Sequence, residues 1–218
     1  MVNFDYSKLP TVMVIDIEKG KIVDYLFYLP EIYNQAYWGE TPFKFRSNFL
    51  VRKEDNSILV SFAIDTLIRV YDERGKLLRT HPTSSKYFSS IQPFMKKIPK
   101  SESEIGADFN DRDGEYALTN PDFNFLLHDK INNVYFRLVY IRPTIEQYKS
   151  GSTVPHSSII ILDEEFNKIG ETYFNGGIYR PDIFFLNDKG LHIARQDKYS
   201  RDENHLTFDI LQVVEKTK

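Results

Sequence analysis

The stretch Phe49–Pro82, FLVRKEDNSILVSFAIDTLIRVYDERGKLLRTHP, decides the fold. Its runs Phe49–Val51, Ile58–Ile64, Leu67–Tyr71 and Lys76–Arg79 are separated by short polar turns rich in Asp, Asn or Gly. β-Branched and aromatic residues suit a pleated surface, and the turn residues supply the conformations that reverse a chain. In the second run Ile58, Val60, Phe62 and Ile64 share one face, with Ser61 and Asp65 on the other, which is the two-residue period of a strand. The reading is a four-stranded antiparallel meander, the form of one propeller blade.

The motif recurs. VIDIEKGKI from Val14, VYDERGKL from Val70 and ILDEEFNKI from Ile161 each run from apolar residues to an Asp (Asp16, Asp72, Asp163), then a charged turn, a Lys and an apolar residue. An Asp at the head of a turn accepts hydrogen bonds from its own backbone, so its presence needs no chemistry. A second set, FLVRKEDNSILVSF from Phe49, FLLHDKINNVYFRL from Phe125 and FFLNDKGLHIAR from Phe184, marks the other hairpin of each unit. With strands labelled a to d, the chain reads c-d, a-b-c-d, a-b-c-d, a-b-c. The expected fold is therefore all-β: antiparallel four-stranded blades forming a partial β-propeller of about three blades and a fraction. Residues 1–218 form one partial domain, with blade portions near 11–30, 45–82, 116–176 and 181–214 and a long insertion at 83–115.

Closed propellers use about four to eight blades. A part of one leaves sheet edges open, so the expectation is an edge-to-edge homodimer or a missing N-terminal half. The links Pro30–Arg46, Thr83–Asp122, Pro143–His156 and Gln196–Asn204 are long and are expected to gather on one face. In the insertion, KYFSSIQPFMKKI places Tyr87, Ile91, Phe94, Met95 and Ile98 at helical spacing, and Pro93 argues for two short turns.

The bulk numbers exclude several classes. A net charge of −3 with scattered Lys and Arg gives no basis for nucleic-acid binding. The absence of cysteine removes disulfides, thiolate metal sites and thiol nucleophiles. No apolar run approaches the roughly 18 residues that a membrane span needs. The first twenty residues read as lacking an export leader or a lipid-accepting cysteine.

The segments VYFRLVYIRP (134–143), SIIILDEEFNKIGET (158–172), IFFLNDKGLHIAR (183–195) and HLTFDILQV (205–213) carry a resemblance. They resemble the C-terminal part of a six-bladed β-propeller-like family of unknown function, found as predicted lipoproteins of Bacteroides-group bacteria. The resemblance implies an extracytoplasmic, membrane-tethered protein, periplasmic or at the cell surface.

Candidate chemistry is sparse. DFNDRDGEY at 108–116 offers Asp108, Asp111 and Asp113 as calcium ligands, but the EF-hand count puts Phe109 and Asn120 where the first and last ligands belong. A turn capped by carboxylates is the favoured reading. The five histidines show no metal spacing, and His156, in a long loop, is the one to test as an acid or base. The long-loop face is expected to gather Tyr37 and Trp38 with Arg142, Arg180 and Arg195. Trp38 stacks on a sugar or packs under a blade; the arginines bind carboxylates or pair with Asp65, Asp182 and Asp197. The expected function is a non-catalytic binding or scaffold module of the cell envelope that engages a protein or glycan. The alternative is a metal-dependent hydrolase of the six-bladed propeller type.

Overall fold

The computed structural model describes residues 5–214, which form thirteen strands in four antiparallel sheets. The first pairs β1 (Pro10–Asp16) with β2 (Lys21–Tyr28). The second is the meander β3 (Ser47–Val51), β4 (Ile58–Phe62), β5 (Leu67–Tyr71) and β6 (Leu77–Pro82). The third repeats it as β7 (Asp122–Asp129), β8 (Val134–Ile141), β9 (His156–Leu162) and β10 (Lys168–Phe174). The fourth holds β11 (Tyr179–Asn187), β12 (Gly190–Arg195) and β13 (Phe208–Leu211). Every neighbour in a sheet is also the neighbour in sequence, and no barrel closes among the described residues. This is the partial propeller-like arrangement that the repeat implies.

The recurring Asp turns occupy equivalent places. Asp16 Oδ1 accepts the Lys19 amide at 3.1 Å. Asp72 Oδ1 accepts those of Arg74 and Lys76 at 2.9 Å, and Asp163 Oδ1 those of Glu165 and Asn167 at 3.0 and 2.8 Å. Each caps the hairpin between the last two strands of its sheet.

Packing follows the strand period. On β8, Tyr135 and Val139 join a core shared with the second sheet through Leu59, Val60 and Ile68, while Phe136, Leu138 and Tyr140 join one shared with the fourth through Leu191 and Ile193. The third sheet is thus covered on both faces, which explains a central strand buried from Val134 to Tyr140. Arg137 sits between Tyr135 and Val139 on the face turned to the second sheet, and is fully buried. Its guanidinium donates to Ser61 Oγ at 2.9 Å, to the Asp65 and Thr66 carbonyls at 2.6 and 3.1 Å, and to Thr83 Oγ1. Burial lowers its pKa to about 9, so it remains a cation at neutral pH.

The insertion differs from expectation. Residues 84–100 contain no helix; Met95 instead pairs with Tyr37 in an isolated antiparallel bridge. Pro93 and the pull of Tyr37 hold this segment extended, and Phe94 sets its ring edge-on to Phe109 and Tyr116. After a single turn, α1 (Glu102–Ile105), the helix lies where the sequence reads as a turn, in α2 (Phe109–Thr119). It carries past residue 116, so strand structure in the third unit begins only at Asp122. Asp113, Tyr116 and Ala117 are its buried residues, at helical spacing. Two further short helices, α3 (Ile145–Lys149) and α4 (Gln196–Tyr199), stand in the long connections after β8 and β12. No helix among the described residues is long and apolar enough to cross a membrane.

Candidate functional site

Three of the long connections meet around a cleft of about 770 Å³. Phe43 and Arg46 come from the link before β3. Thr153, Val154 and Pro155 come from the link before β9, and Gln196 and Ser200 from the one after β12. Asn124, Tyr140 and Arg142 rise from β7 and the end of β8, and Tyr179, Arg180 and Asp182 from β11. Local sequence fixes these links. Thr144 and Gln147 form a reciprocal capping box that starts α3. At Gly176 an added methyl would collide with the Pro155 carbonyl, so only glycine lets the 153–155 wall close on the β10–β11 turn. His156 Nδ1 accepts the Gly176 amide at 3.2 Å and pins the same junction.

The arginines are held in place. Arg46 and Arg142 set their guanidinium carbons 4.7 and 5.7 Å from the centre of the Phe43 ring, and Arg142 lies 5.0 Å from that of Tyr140. Arg46 Nη1 donates to Asn124 Oδ1 at 3.1 Å. Arg142 Nε donates to Asp122 Oδ2 at 2.9 Å, and its Nη2 lies 2.8 Å from the same oxygen as an ion pair. Arg180 Nε lies 3.3 Å from both oxygens of Asp182. Beneath them Lys44 is fully buried: its Nζ donates to the Asn120 and Pro121 carbonyls at 2.8 and 3.0 Å and stands 3.7 Å from Asp122 Oδ2. Burial lowers the Lys44 pKa to about 8 against the pull of Asp122, with the Arg142 charge adding to the lowering. Asp122 Oδ1 is buried with no partner among the described residues.

Of the residues expected at the long-loop face, the structure brings Arg142 and Arg180 into the cleft. Arg195 stands behind them, 5.5 Å from the centre of the Tyr179 ring and bonded to Asp197 and Asp209. Those bonds, the one to Asp197 first, raise its pKa. His156 supports the wall. Tyr37 and Trp38 are elsewhere: both are buried, Tyr37 donating to Glu40 and Trp38 Nε1 to the Ile32 carbonyl at 3.2 Å. Trp38 belongs to the core beside Tyr33, so packing is its role. Sequence reasoning missed Phe43, Arg46, Asn124, Tyr140 and Tyr179. Tyr140 was within reach, since it stands two residues from Arg142 and so on the same strand face.

The three candidate calcium ligands are parted by the helix. Asp108 stands at the N-cap position of α2 without a side-chain capping bond and pairs with Arg112 at 3.2 Å. Asp111 stands in the first turn. Asp113 is buried against Gly39 and accepts the Glu40 amide at 3.2 Å. Among the described residues no three His, Cys, Asp or Glu side chains are placed to hold a metal ion.

A comparison with curated proteins finds no match. Among solved structures the chain is similar to the crystal structure of a DUF4221 family member from Bacteroides vulgatus ATCC 8482, with a TM-score of 0.72 and 22% identity. The similarity covers 94% of this chain and 55% of that one, so the chain spans little more than half of that neighbour's length. At this identity the likeness speaks for the fold. A family model described as a domain of unknown function (DUF4221) matches residues 3–173, and the chain belongs to that family.

Proposed function

We propose that this chain is a non-catalytic binding or scaffold module of the bacterial cell envelope that engages a protein or glycan through its long-loop cleft. The observation that carries the reading is a single concavity of about 770 Å³ walled by three separate connections, with Arg46, Arg142 and Arg180 in its lining. That size suits a small ligand or a short piece of a polymer. Connections of this kind tolerate variation on a fixed scaffold, and so are where recognition is commonly built. The envelope address rests on the resemblance to predicted lipoproteins, and completion of six blades by further chain belongs to the same proposal.

A screen of the purified protein against arrayed glycans and envelope proteins, repeated with Arg180→Glu, tests the cleft. A ligand retained by the native chain and lost by the variant supports the proposal; equal retention by both puts binding elsewhere. Fractionation of the native host tests the address, and recovery in the cytosol ends it.

Edge-to-edge pairing between two copies is part of the proposal. On the first sheet Met13, Ile15, Val23 and Tyr25 are each about half exposed, and β13 has no strand on its outer side among the described residues. A sedimentation coefficient that stays monomeric up to high concentration removes this part.

A further inference from the structure

The cationic side of the cleft is not neutralised from within. Arg142 and the buried Lys44 share one carboxylate, Asp122, and Arg46 stands close enough to Lys44 for its charge to be felt there, whereas Arg180 has its own carboxylate in Asp182. Of the lining arginines, Arg142 is met by Asp122 and Arg180 by Asp182, which leaves the charge of Arg46 in excess on a chain whose formal net charge is −3. Charge of one sign in a concavity with low-dielectric walls focuses the field there. Arg46 donates to the neutral Asn124 and has no carboxylate partner among the described residues.

The cluster is also ready to bind. Both guanidiniums lie against the Phe43 ring, so little side-chain freedom remains to be lost when a ligand arrives. A planar guanidinium fork matches a carboxylate, and Arg142 keeps Nη1 beyond the two nitrogens turned to Asp122. Around them stand Asn124, Thr153, Gln196 and Ser200, whose amides and hydroxyls suit neutral hydroxyl groups. An extended nucleic acid needs a long basic track, which the lining does not provide, and the edge strands β7 and β11 that reach the cleft make an acidic peptide the rival ligand that the titration separates. On the reading of this cleft as the binding site, we infer that its ligand is an acidic oligosaccharide, whose carboxylate is held by Arg46 and Arg142 and whose hydroxyls meet the surrounding amides and hydroxyls.

Calorimetric titration of the full chain with trigalacturonate, its methyl ester and a hexaglutamate peptide tests this. Arg46→Gln removes the uncompensated charge and Arg142→Lys keeps a cation beside Asp122; a thermal melt of each variant confirms folding. The expected result is binding of trigalacturonate that weakens at least tenfold in the ester, in both variants and at raised salt. Equal binding of acid and ester, lost in the variants, overturns the charge assignment and leaves the cleft as a binding site. Binding of hexaglutamate alone overturns the sugar class. Tight binding of trigalacturonate that neither variant changes removes the cleft itself, and with it the proposed function. No binding of any of the three probes overturns the acidic-oligosaccharide assignment, and the array screen then decides the cleft separately.

Discussion

The guanidinium carbon of Arg137 lies 3.6 Å from the centre of the Phe123 ring, and this stack places a cation between two sheets. Arg137 belongs to β8, yet its hydrogen-bond partners Ser61, Asp65, Thr66 and Thr83 belong to the second unit. One side chain thus ties together two meanders that share no strand pairing, alongside the Phe123 amide that donates to the Ala63 carbonyl at 2.8 Å.

Arg137→Met should therefore cost more than its lost area. It keeps much of the volume but leaves buried carbonyls without donors, and breaking such a charged network costs about 3–5 kcal/mol. For a chain of this length that is a fall in Tm of roughly 10 °C. Arg137→Lys should fall nearly as far, because one ammonium cannot reach Ser61, Phe62, Asp65, Thr66 and Thr83 together. A thermal melt in which Lys behaves like Arg would show that charge alone matters.

The pH dependence of stability should have a histidine component. His81 lies 5.0 Å from Phe166 by ring centres, and His128 stacks on Tyr135 at 4.3 Å; each Nε2 is buried with no partner among the described residues. Burial lowers both pKa values, Arg79 adding to the effect at His81, and Asn133 and Glu54 opposing it at His128. Below the unfolded value of 6.5 the unfolded chain takes up protons that the folded chain refuses. Stability is then lost as pH falls from 6.5 toward the folded values. Carboxylates such as Glu171, where burial pushes up but Lys168, Ser158 and Ser85 hold the carboxyl below its ordinary value of 4.5, add their own loss only at lower pH. His81→Phe with His128→Phe keeps both ring contacts, and should flatten the stability curve between pH 6.5 and about 4.5. Urea midpoints across that range decide it; an unchanged slope places the proton uptake elsewhere.

The sole tryptophan offers a separate check. Trp38 is 4% exposed and packs against Tyr33, away from the cleft lining. Its emission should be blue-shifted and protected from acrylamide until the global unfolding transition. Saturation of the cleft should leave it unmoved. A ligand that quenches Trp38 directly would return this residue to the binding surface.

What could be read from the chain was what is local. The alternation of Ile58, Val60 and Phe62 and the Asp16, Asp72 and Asp163 turns are satisfied within a few residues, so the meanders were legible. The helix Phe109–Thr119 was not, because Asp113 occupies its buried face and its partner is the Glu40 amide, 73 residues away. Asp and Gly in DRDG read as a turn when that partner is out of sight. The cleft was half legible for the same reason. Arg142 and Arg180 stand at strand ends where the period places them, whereas Phe43 and Arg46 owe their position to the burial of Lys44 between them. Tyr37 and Trp38 looked like loop aromatics, and the bridge to Met95 and the contact with Tyr33 drew them inward.

Asp113 supplies the test of a cation-dependent role. Burial raises its pKa, and the nearby Glu40 charge adds to the shift, although the Glu40 and Thr41 amides oppose it. A carboxyl with a raised folded value holds its proton longer in the folded state, so stability falls as pH climbs from 3.8 through that value. In its ionised form this side chain is a buried charge beside Glu40. Asp113→Asn retains an oxygen for the Glu40 amide and removes the charge. It should leave the melting temperature at pH 7 level or slightly higher, and erase the part of the acid-side gain that Asp113 supplies. If Asp108, Asp111 and Asp113 jointly held calcium, the native chain would melt higher with calcium than with chelator, since a ligand of the folded state alone stabilises it. The Asn variant would lose that difference. The helix sends the three carboxylates to Arg112, to the first turn and to Gly39, so calcium and chelator should give the same melt in both proteins. A calcium-dependent rise that vanishes in Asp113→Asn would restore the metal site and, with it, the hydrolase reading.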